Sequence, residues 1–194
     1  KDFLALYKRK IHEYDEMVTG NVIFQNRMKN VGYLSPEDAI SYGCSGPTAR
    51  GSGVKSDIRK LYPYELYDKL QFDEILETGG DSFARYMVRL REMNESIKII
   101  EQLIDNIPDG DFQAKTKAVL KLPKGEFYTR VETARGELGV YIVSEGGTTP
   151  YRIKFRSPGF SNLSVLDHIA RGSKLGDLVA MMGTLDLVIP DIDR

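Results

Sequence analysis

Between Ser82 and Ile107 the apolar residues Phe83, Tyr86, Met87, Leu90, Met93, Ile97, Ile100, Leu103, Ile104 and Ile107 recur at steps of three and four. That spacing winds them into one stripe of an α-helix. A stripe of this length has to be covered by other parts of the chain. Arg89, Arg91, Glu92, Glu95, Lys98 and Glu101 fall mostly on the other side, with Glu95 set to meet Lys98 one turn on, so that face is expected to stay in water. Asp81 or Ser82 can cap the start after Gly79-Gly80, and Pro108-Asp109-Gly110 ends the segment. Burying such side chains is worth about 1.5–3 kcal/mol each, which makes the segment the core axis for the remaining elements. A cofactor box at this spacing would look the same; the core reading is the simpler one.

Such an axis needs a chain able to cover it. With 194 residues, 41% of them hydrophobic, the chain reads as one large domain or part of a larger one. Its 27 basic and 28 acidic side chains leave a formal net charge of -1, so no global field recruits nucleic acid or an anionic membrane. No apolar run reaches the roughly eighteen residues needed to span a bilayer, and no signal-peptide pattern opens the chain. The start at Lys1, without methionine and already inside a helical pattern, suggests a fragment of a longer polypeptide that is soluble by itself. Cys44 is the only cysteine, which excludes internal disulfides and any site built from several thiolates of this chain.

Ahead of the axis, Phe3, Leu4, Tyr7, Ile11, Tyr14 and Val18 carry a helical stripe, and Val22 to Met28 continues as a second helix that Gly32 stops. His12 sits among charges as a surface residue. Ser35-Pro36-Glu37-Asp38 reads as an N-cap, a proline at the first helical position and an acidic first turn. Gly43, Gly46, Pro47, Gly51 and Gly53 then predict a loop from Tyr42 to Val54. Arg50, Lys55, Arg59 and Lys60 lie in or after it, but no P-loop ending is present, so the glycines serve a close backbone approach rather than a phosphate. Leu61 to Leu76, rich in aromatics, is expected to wrap across the central helix as irregular pieces. Asp109 to Gly125 reads as a surface excursion.

From Tyr128 to Ser157 the period changes from helical to β. Val131, Val140, Ile142, Tyr151, Ile153 and Phe155 alternate with polar residues in two runs joined by Glu145-Gly146-Gly147-Thr148-Thr149, which predicts an antiparallel hairpin. Two short helices follow, from Asn162 or Ser164 to Ala170 and from Lys174 to Met182, with His168 favouring the C-terminal dipole of the first. The fold class is therefore α+β: mainly helical, with a long central helix and a small antiparallel β-hairpin or sheet.

Several segments in order resemble one family. They are Ala39-Ile40-Ser41-Tyr42-Gly43 with Ser45-Gly46-Pro47, Arg50-Gly51-Ser52-Gly53-Val54, Arg85-Tyr86 leading into Arg89 and Glu92-Met93, and Arg135-Gly136-Glu137-Leu138-Gly139. Pro150-Tyr151-Arg152 through Arg156-Ser157-Pro158 and the ending from Asp177 to Arg194, with Gly183-Thr184-Leu185-Asp186-Leu187-Val188, complete the set. Together they are similar to the C-terminal half of the D-type subunit of proton-pumping NADH:quinone oxidoreductase, respiratory complex I. That family itself resembles the large subunits of nickel–iron hydrogenases. The chain departs from the family pattern at Ala134, Ser56 and Pro190-Asp191.

The resemblance implies that residues 1–194 form one structural unit, like the C-terminal half of a nickel–iron hydrogenase large subunit without the metal site. A hydrogenase centre needs a set of cysteine thiolates, one pair in a CxxC near the C-terminus, and Leu185-Asp186-Leu187-Val188 stands there without a thiol. The emptied cavity suits a quinone ring. On this reading the chain walls the quinone site and binds no cofactor of its own. Quinone is the substrate, a 4Fe-4S cluster sits in the adjacent B-type subunit, and NADH is oxidised elsewhere in the complex. Partners are the B-, C-, I- and membrane-arm H-type subunits, on the cytoplasmic side of the bacterial inner membrane.

By the same resemblance, Asp186 tunes charge or orients a proton donor as the quinone anion forms, and Val188 shapes the channel. Their plain alternatives are a cap or turn residue and a core residue. Arg135 matches the arginine that overhangs the hydrogenase metal site, with an ion pair to Glu132 or Glu137 as its alternative. Two other functions stay open: a structural module that docks other subunits, and the equivalent subunit of a related membrane-bound complex with a different electron donor.

Overall fold

The computed structural model, which describes residues 1–116 and 118–193, is built along one helix. Arg194, read as part of the family's ending, and Lys117 of the surface excursion lie outside the described residues. The axial helix is the sixth in chain order, α6 (Ser82–Ile104). Asp81 caps it by accepting from the Ala84 N–H at 2.8 Å, and its other oxygen accepts from the Asn30 N–H at 2.7 Å. The helix stops short of the expected Ile107, which is 71% exposed, because Pro108 disfavours the helical conformation in the residue before it.

The elements before α6 are α1 (Asp2–Tyr14), α2 (Val22–Met28), α3 (Pro36–Ser41), α4 (Gly46–Arg50) and α5 (Ile58–Leu61). A wide π-type turn, Asp15–Thr19, extends α1. The N-caps follow the sequence closely: the Asn21 and Ser35 side chains accept from the N–H groups of the helices they open. In the expected loop, Gly46-Pro47-Thr48-Ala49-Arg50 is instead a short, fully buried helix, since a proline in its first turn is already set for helical φ. The irregular chain from Leu61 to Leu76 does cross the axis. There the Asp73 N–H donates to Glu95 Oε2 at 2.9 Å, and Gln71 exchanges two hydrogen bonds with Gln102.

The hairpin expectation is one strand short. Strands β1 (Gly125–Thr133), β2 (Gly136–Ser144) and β3 (Arg152–Arg156) form an antiparallel sheet in that order. The run read as continuous through Val131 and Val140 turns back at Ala134-Arg135, a reversal made possible by Gly136 at φ 130°. In the register Phe127↔Ile142↔Ile153 and Thr129↔Val140↔Phe155, the apolar side chains share one face; Arg152 and Lys154 lie on the other. Phe127, Ile153 and Phe155 remain exposed. Three helices rather than two short ones then follow: α7 (Pro158–Leu163), α8 (Leu166–Ala170) and α9 (Leu175–Leu185), before a last turn, α10 (Ile189–Ile192). The architecture is α+β, and no helix among the described residues is long and apolar enough to cross a membrane.

Two apolar clusters form beside α6. In one, Leu90 and Ile97 bury against Ile11 of α1, with Tyr7, Tyr86 and Met93 around them; in the other, Leu34, Ala39, Val165, Ile169, Met181 and Leu185 meet. Ile104 is half-buried and Ile100 exposed. The second face of α6 is wet, as expected, at Arg91, Lys98 and Glu101, and contradicts that expectation elsewhere. Arg85 and Glu95 are buried there, and Arg89 and Glu92 are half-buried, because α4, β1 and the 71–77 segment cover it with polar partners of their own.

Leu90→Ala and Ile97→Ala should each lower unfolding free energy by about 2–5 kcal/mol, the sum of lost transfer energy and the cavity left behind. Ile107→Ala should leave the denaturant midpoint nearly unchanged. Burial pushes the Cys44 thiol up to about 11, against the pull of the Arg85 and Arg156 charges. The folded pKa lies above the ordinary value of 9.0, so this stabilisation is present below the unfolded pKa and is lost as pH rises through the folded value. Alkylation of Cys44 at pH 8 should therefore be slow in the folded chain and rise sharply on unfolding in denaturant.

Candidate functional site

The end of α9 and the β1–β2 turn meet over the second face of α6. Asp186 follows α9 in a left-handed conformation, φ 55° and ψ 55°, one that a short polar side chain tolerates far better than a bulky one. Its carboxylate Oδ2 lies 3.5 Å from Arg135 Nε and 3.6 Å from Arg89 Nη1. Arg89 also donates from Nη2 to the Thr184 carbonyl at 3.1 Å and from Nη1 to the Ala134 carbonyl at 3.5 Å. Burial lowers the Arg89 pKa, opposed by the Asp186 and Glu92 charges. The Nε–H groups of Arg89 and Arg135 are buried and make no hydrogen bond among the described residues.

The turn that carries Arg135 is fixed from behind. Gly46, at φ 63°, packs its Cα onto the Arg135 carbonyl so closely that a Cβ would sit 2.4 Å from the oxygen and 2.5 Å from Gly136 Cα. This is the close approach expected of the glycine-bearing segment. Asn162, from α7, donates to the Arg135 carbonyl at 3.2 Å and accepts from the Ser45 N–H at 3.2 Å. Ser45 Oγ in turn accepts from the Glu137 N–H and from Arg156. The α9 end is held by Arg85, which is 0% exposed. Arg85 donates to the carbonyls of Gly80 and Gly32, to Ser82 Oγ and to Thr184 Oγ1. Its hydrogen-bond partners are all neutral oxygens, and burial lowers its pKa to about 10.

One turn beyond Arg89 a second set of charges is packed. Arg50, 1% exposed, pairs with Glu132 at 2.9 Å and with Glu92 at 2.8 Å, the latter an ion pair without hydrogen-bond alignment at Glu92 Oε1. Glu132 Oε2 accepts from the Ile58 N–H at 3.1 Å. Burial raises the carboxyl pKa of both Glu92 and Glu132, with Arg50 opposing it in each case. Burial also pushes Asp57 upward, but its two hydrogen bonds from the Arg59 guanidinium and the Arg59 charge outweigh that and leave it below the usual carboxylate range. A cleft of about 430 Å³ opens here, bordered by Arg50, Arg59, Arg89, Glu92 and Glu132.

Of the sequence-predicted residues, Asp186 and Arg135 come together. Val188 does not join them: it is half-buried and starts α10, where its carbonyl accepts from the Asp191 and Ile192 N–H groups. The alternative ion pair of Arg135 with Glu132 or Glu137 is not formed, since Glu132 is taken by Arg50 and Glu137 by Arg130. The cap alternative for Asp186 holds alongside its ion pairs. His168 lies 3.2 Å from Asp38, and His12 lies 3.3 Å from Glu16. Sequence reasoning missed Arg89, Glu92 and Arg50. A signal existed for the first two: Arg85, Arg89 and Glu92 recur at the same three- and four-residue steps as the apolar stripe, marking a second covered face.

The model of one protein family, described as the respiratory-chain NADH dehydrogenase 49 Kd subunit, matches residues 1–121 and 112–194. A C/D-type NADH-quinone oxidoreductase subunit of Bacteroides fragilis is 55% identical over all of this chain and 37% of its own length. A D-type NADH-quinone oxidoreductase subunit of Desulfotalea psychrophila is 45% identical over 100% of this chain and 52% of its own length. For an H-type NAD(P)H-quinone oxidoreductase subunit of Gloeobacter violaceus the figures are 44%, 100% and 55%. The chain thus spans about half the length of the D- and H-type relatives, and less of the C/D-type relative. Gly46→Ala should cost at least ~1–2 kcal/mol from the left-handed backbone alone and should displace the Arg135 turn; denaturant unfolding and the amide shifts of Arg135 and Gly136 would register both effects.

Proposed function

Because the chain belongs to the family of the 49 kDa subunit of respiratory-chain NADH dehydrogenase, we propose that it forms one wall of the site where that complex reduces quinone. The observation that carries the reading is the Asp186 carboxylate bracketed by Arg89 and Arg135 at the end of α9. This is the stretch that, in the resemblance to hydrogenases, replaces the thiolate-bearing tail. Two arginines around one carboxylate leave the group locally positive, which favours an oxygen that becomes electron-rich on reduction. Asp186 sets the charge there and can orient a proton donor, and Val188, two residues on, shapes the approach.

In this reading residues 1–194 act as a single unit with the hydrogenase-like arrangement, and a preceding part of the parent polypeptide supplies the rest of the site. Electrons reach the quinone from NADH through clusters in partner subunits, the last a 4Fe-4S cluster in the B-type subunit. The C-, I- and membrane-arm H-type subunits complete the surroundings on the cytoplasmic side of the membrane, to which the chain attaches peripherally. The exposed apolar face of the sheet, with Phe127, Ile153 and Phe155, favours a second role in docking one of these subunits.

Asp186→Asn keeps the volume and the left-handed turn and removes the charge. In the assembled complex it should lower quinone reductase activity ~10–100-fold, as expected of a supporting acid–base group, and leave the artificial-acceptor rate at the NADH end unchanged. A fully assembled complex with an unchanged quinone rate and Michaelis constant would reject the assignment.

A further inference from the structure

We infer that Arg89 is a positioning residue that locks the two halves of this site, Asp186 and Arg135, into one geometry. The inference rests on the quinone-site reading above. It comes from the number of elements one guanidinium spans. Arg89 projects from the middle of α6, and its Nη2 holds the Thr184 carbonyl, in the last turn of α9 just ahead of Asp186. Its Nη1 lies 3.6 Å from the Asp186 carboxylate and 3.5 Å from the carbonyl of Ala134, the residue before Arg135. Asp186 and Arg135 sit on different elements, paired at 3.5 Å without a hydrogen bond at Arg135 Nε. Among the described residues, Arg89 is the side chain with contacts on both sides of that gap.

The guanidinium is suited to this in a way an ammonium is not. Its planar fork offers separate N–H groups in fixed directions, so one side chain can satisfy two carbonyls on different elements while keeping its charge beside a carboxylate. Arg89 is itself steadied by its surroundings: Arg85, one turn earlier, holds Thr184 through its hydroxyl, and Glu92, one turn later, faces Arg50. The α9 end is thereby tied to α6 at Thr184 three times, through the hydroxyl to Arg85 and Ser82 and through the carbonyl to Arg89. Loss of Arg89 releases the carbonyl tie and the charge together, and lets Asp186 drift from Arg135.

The test is a double-mutant cycle in the assembled complex with Arg89→Met, Asp186→Asn and the pair. A full complement of subunits and the artificial-acceptor rate serve as controls. Arg89→Met should lower the quinone reductase rate ~10–100-fold, the scale of a misplaced reacting geometry. The double variant should be no slower than the slower single one, because both act on one arrangement. Arg89→Lys keeps the charge but cannot span both carbonyls, so it should fall between wild type and Arg89→Met; it also carries the cycle if the methionine variant fails to assemble. If the two substitutions multiply, Arg89 acts elsewhere and the inference is overturned while the site reading stands. If Asp186→Asn alone leaves quinone reduction unchanged, the site reading fails and the inference falls with it.

Discussion

A single guanidinium, that of Arg50, decides how the elements of this chain meet. It is buried to 1% exposure and reaches Glu92 on α6 and Glu132 on β1, while Glu132 also receives the first N–H of α5. Removing a charge from water is costly, and breaking such a pair from one side leaves an uncompensated ion worth about 3–5 kcal/mol. Arrangements that separate α4, α6 and β1 are disfavoured on that ground alone. Apolar packing between α1 and α6, or between α8 and α9, is less directional: side chains of similar volume could be exchanged there at modest cost. The charged face of α6 therefore sets which arrangement is adopted, and the apolar clusters set how firmly it holds.

From that arrangement the rest of the site follows in sequence. With α4 fixed by Arg50, Gly46 at its start lies against the Arg135 carbonyl, and Ser45 beside it collects the Glu137 N–H and Arg156. The β1–β2 turn has no freedom left, so Arg135 is presented at a defined distance from the end of α9. On the other side Arg85 and Thr184 hold α9 from within. Asp186 is thus reached from three elements, α6, α9 and the turn, none of which carries the whole site.

What the sequence disclosed is what neighbouring residues decide between themselves. Ser35 and Asp38 are three positions apart and form the expected cap; Asp81 caps α6; Leu90 and Ile97 bury as their period requires. The failures at the site itself are long-range. Arg50 and Glu132 lie 82 positions apart, so nothing local distinguished them from surface charges, and Arg89 and Glu92 were read as wet because charge on a helix is usually solvated. The β1–β2 turn was missed because Ala134-Arg135 lacks the glycine or asparagine pair of common tight turns; the permissive residue, Gly136, falls just after it. Asp186 and Arg135 were found through family likeness, not spacing. Their partnership across 51 positions became visible only when the chain was folded.

The outermost strand carries one more consequence. Among the described residues β3 pairs only with β2, and it is exposed from Arg152 to Phe155, so its outer rim offers backbone donors and acceptors beside an uncovered apolar face. An antiparallel encounter of two copies centred on this strand would set Lys154 against Lys154 and Arg152 against Arg156. Like charges directly opposite one another oppose such pairing. Self-pairing along this margin is thereby disfavoured, while Arg156 at its end is turned to Ser45, Glu137 and Gly43 within the chain. The alternation along five residues thus sets charge against charge wherever this edge meets its own copy.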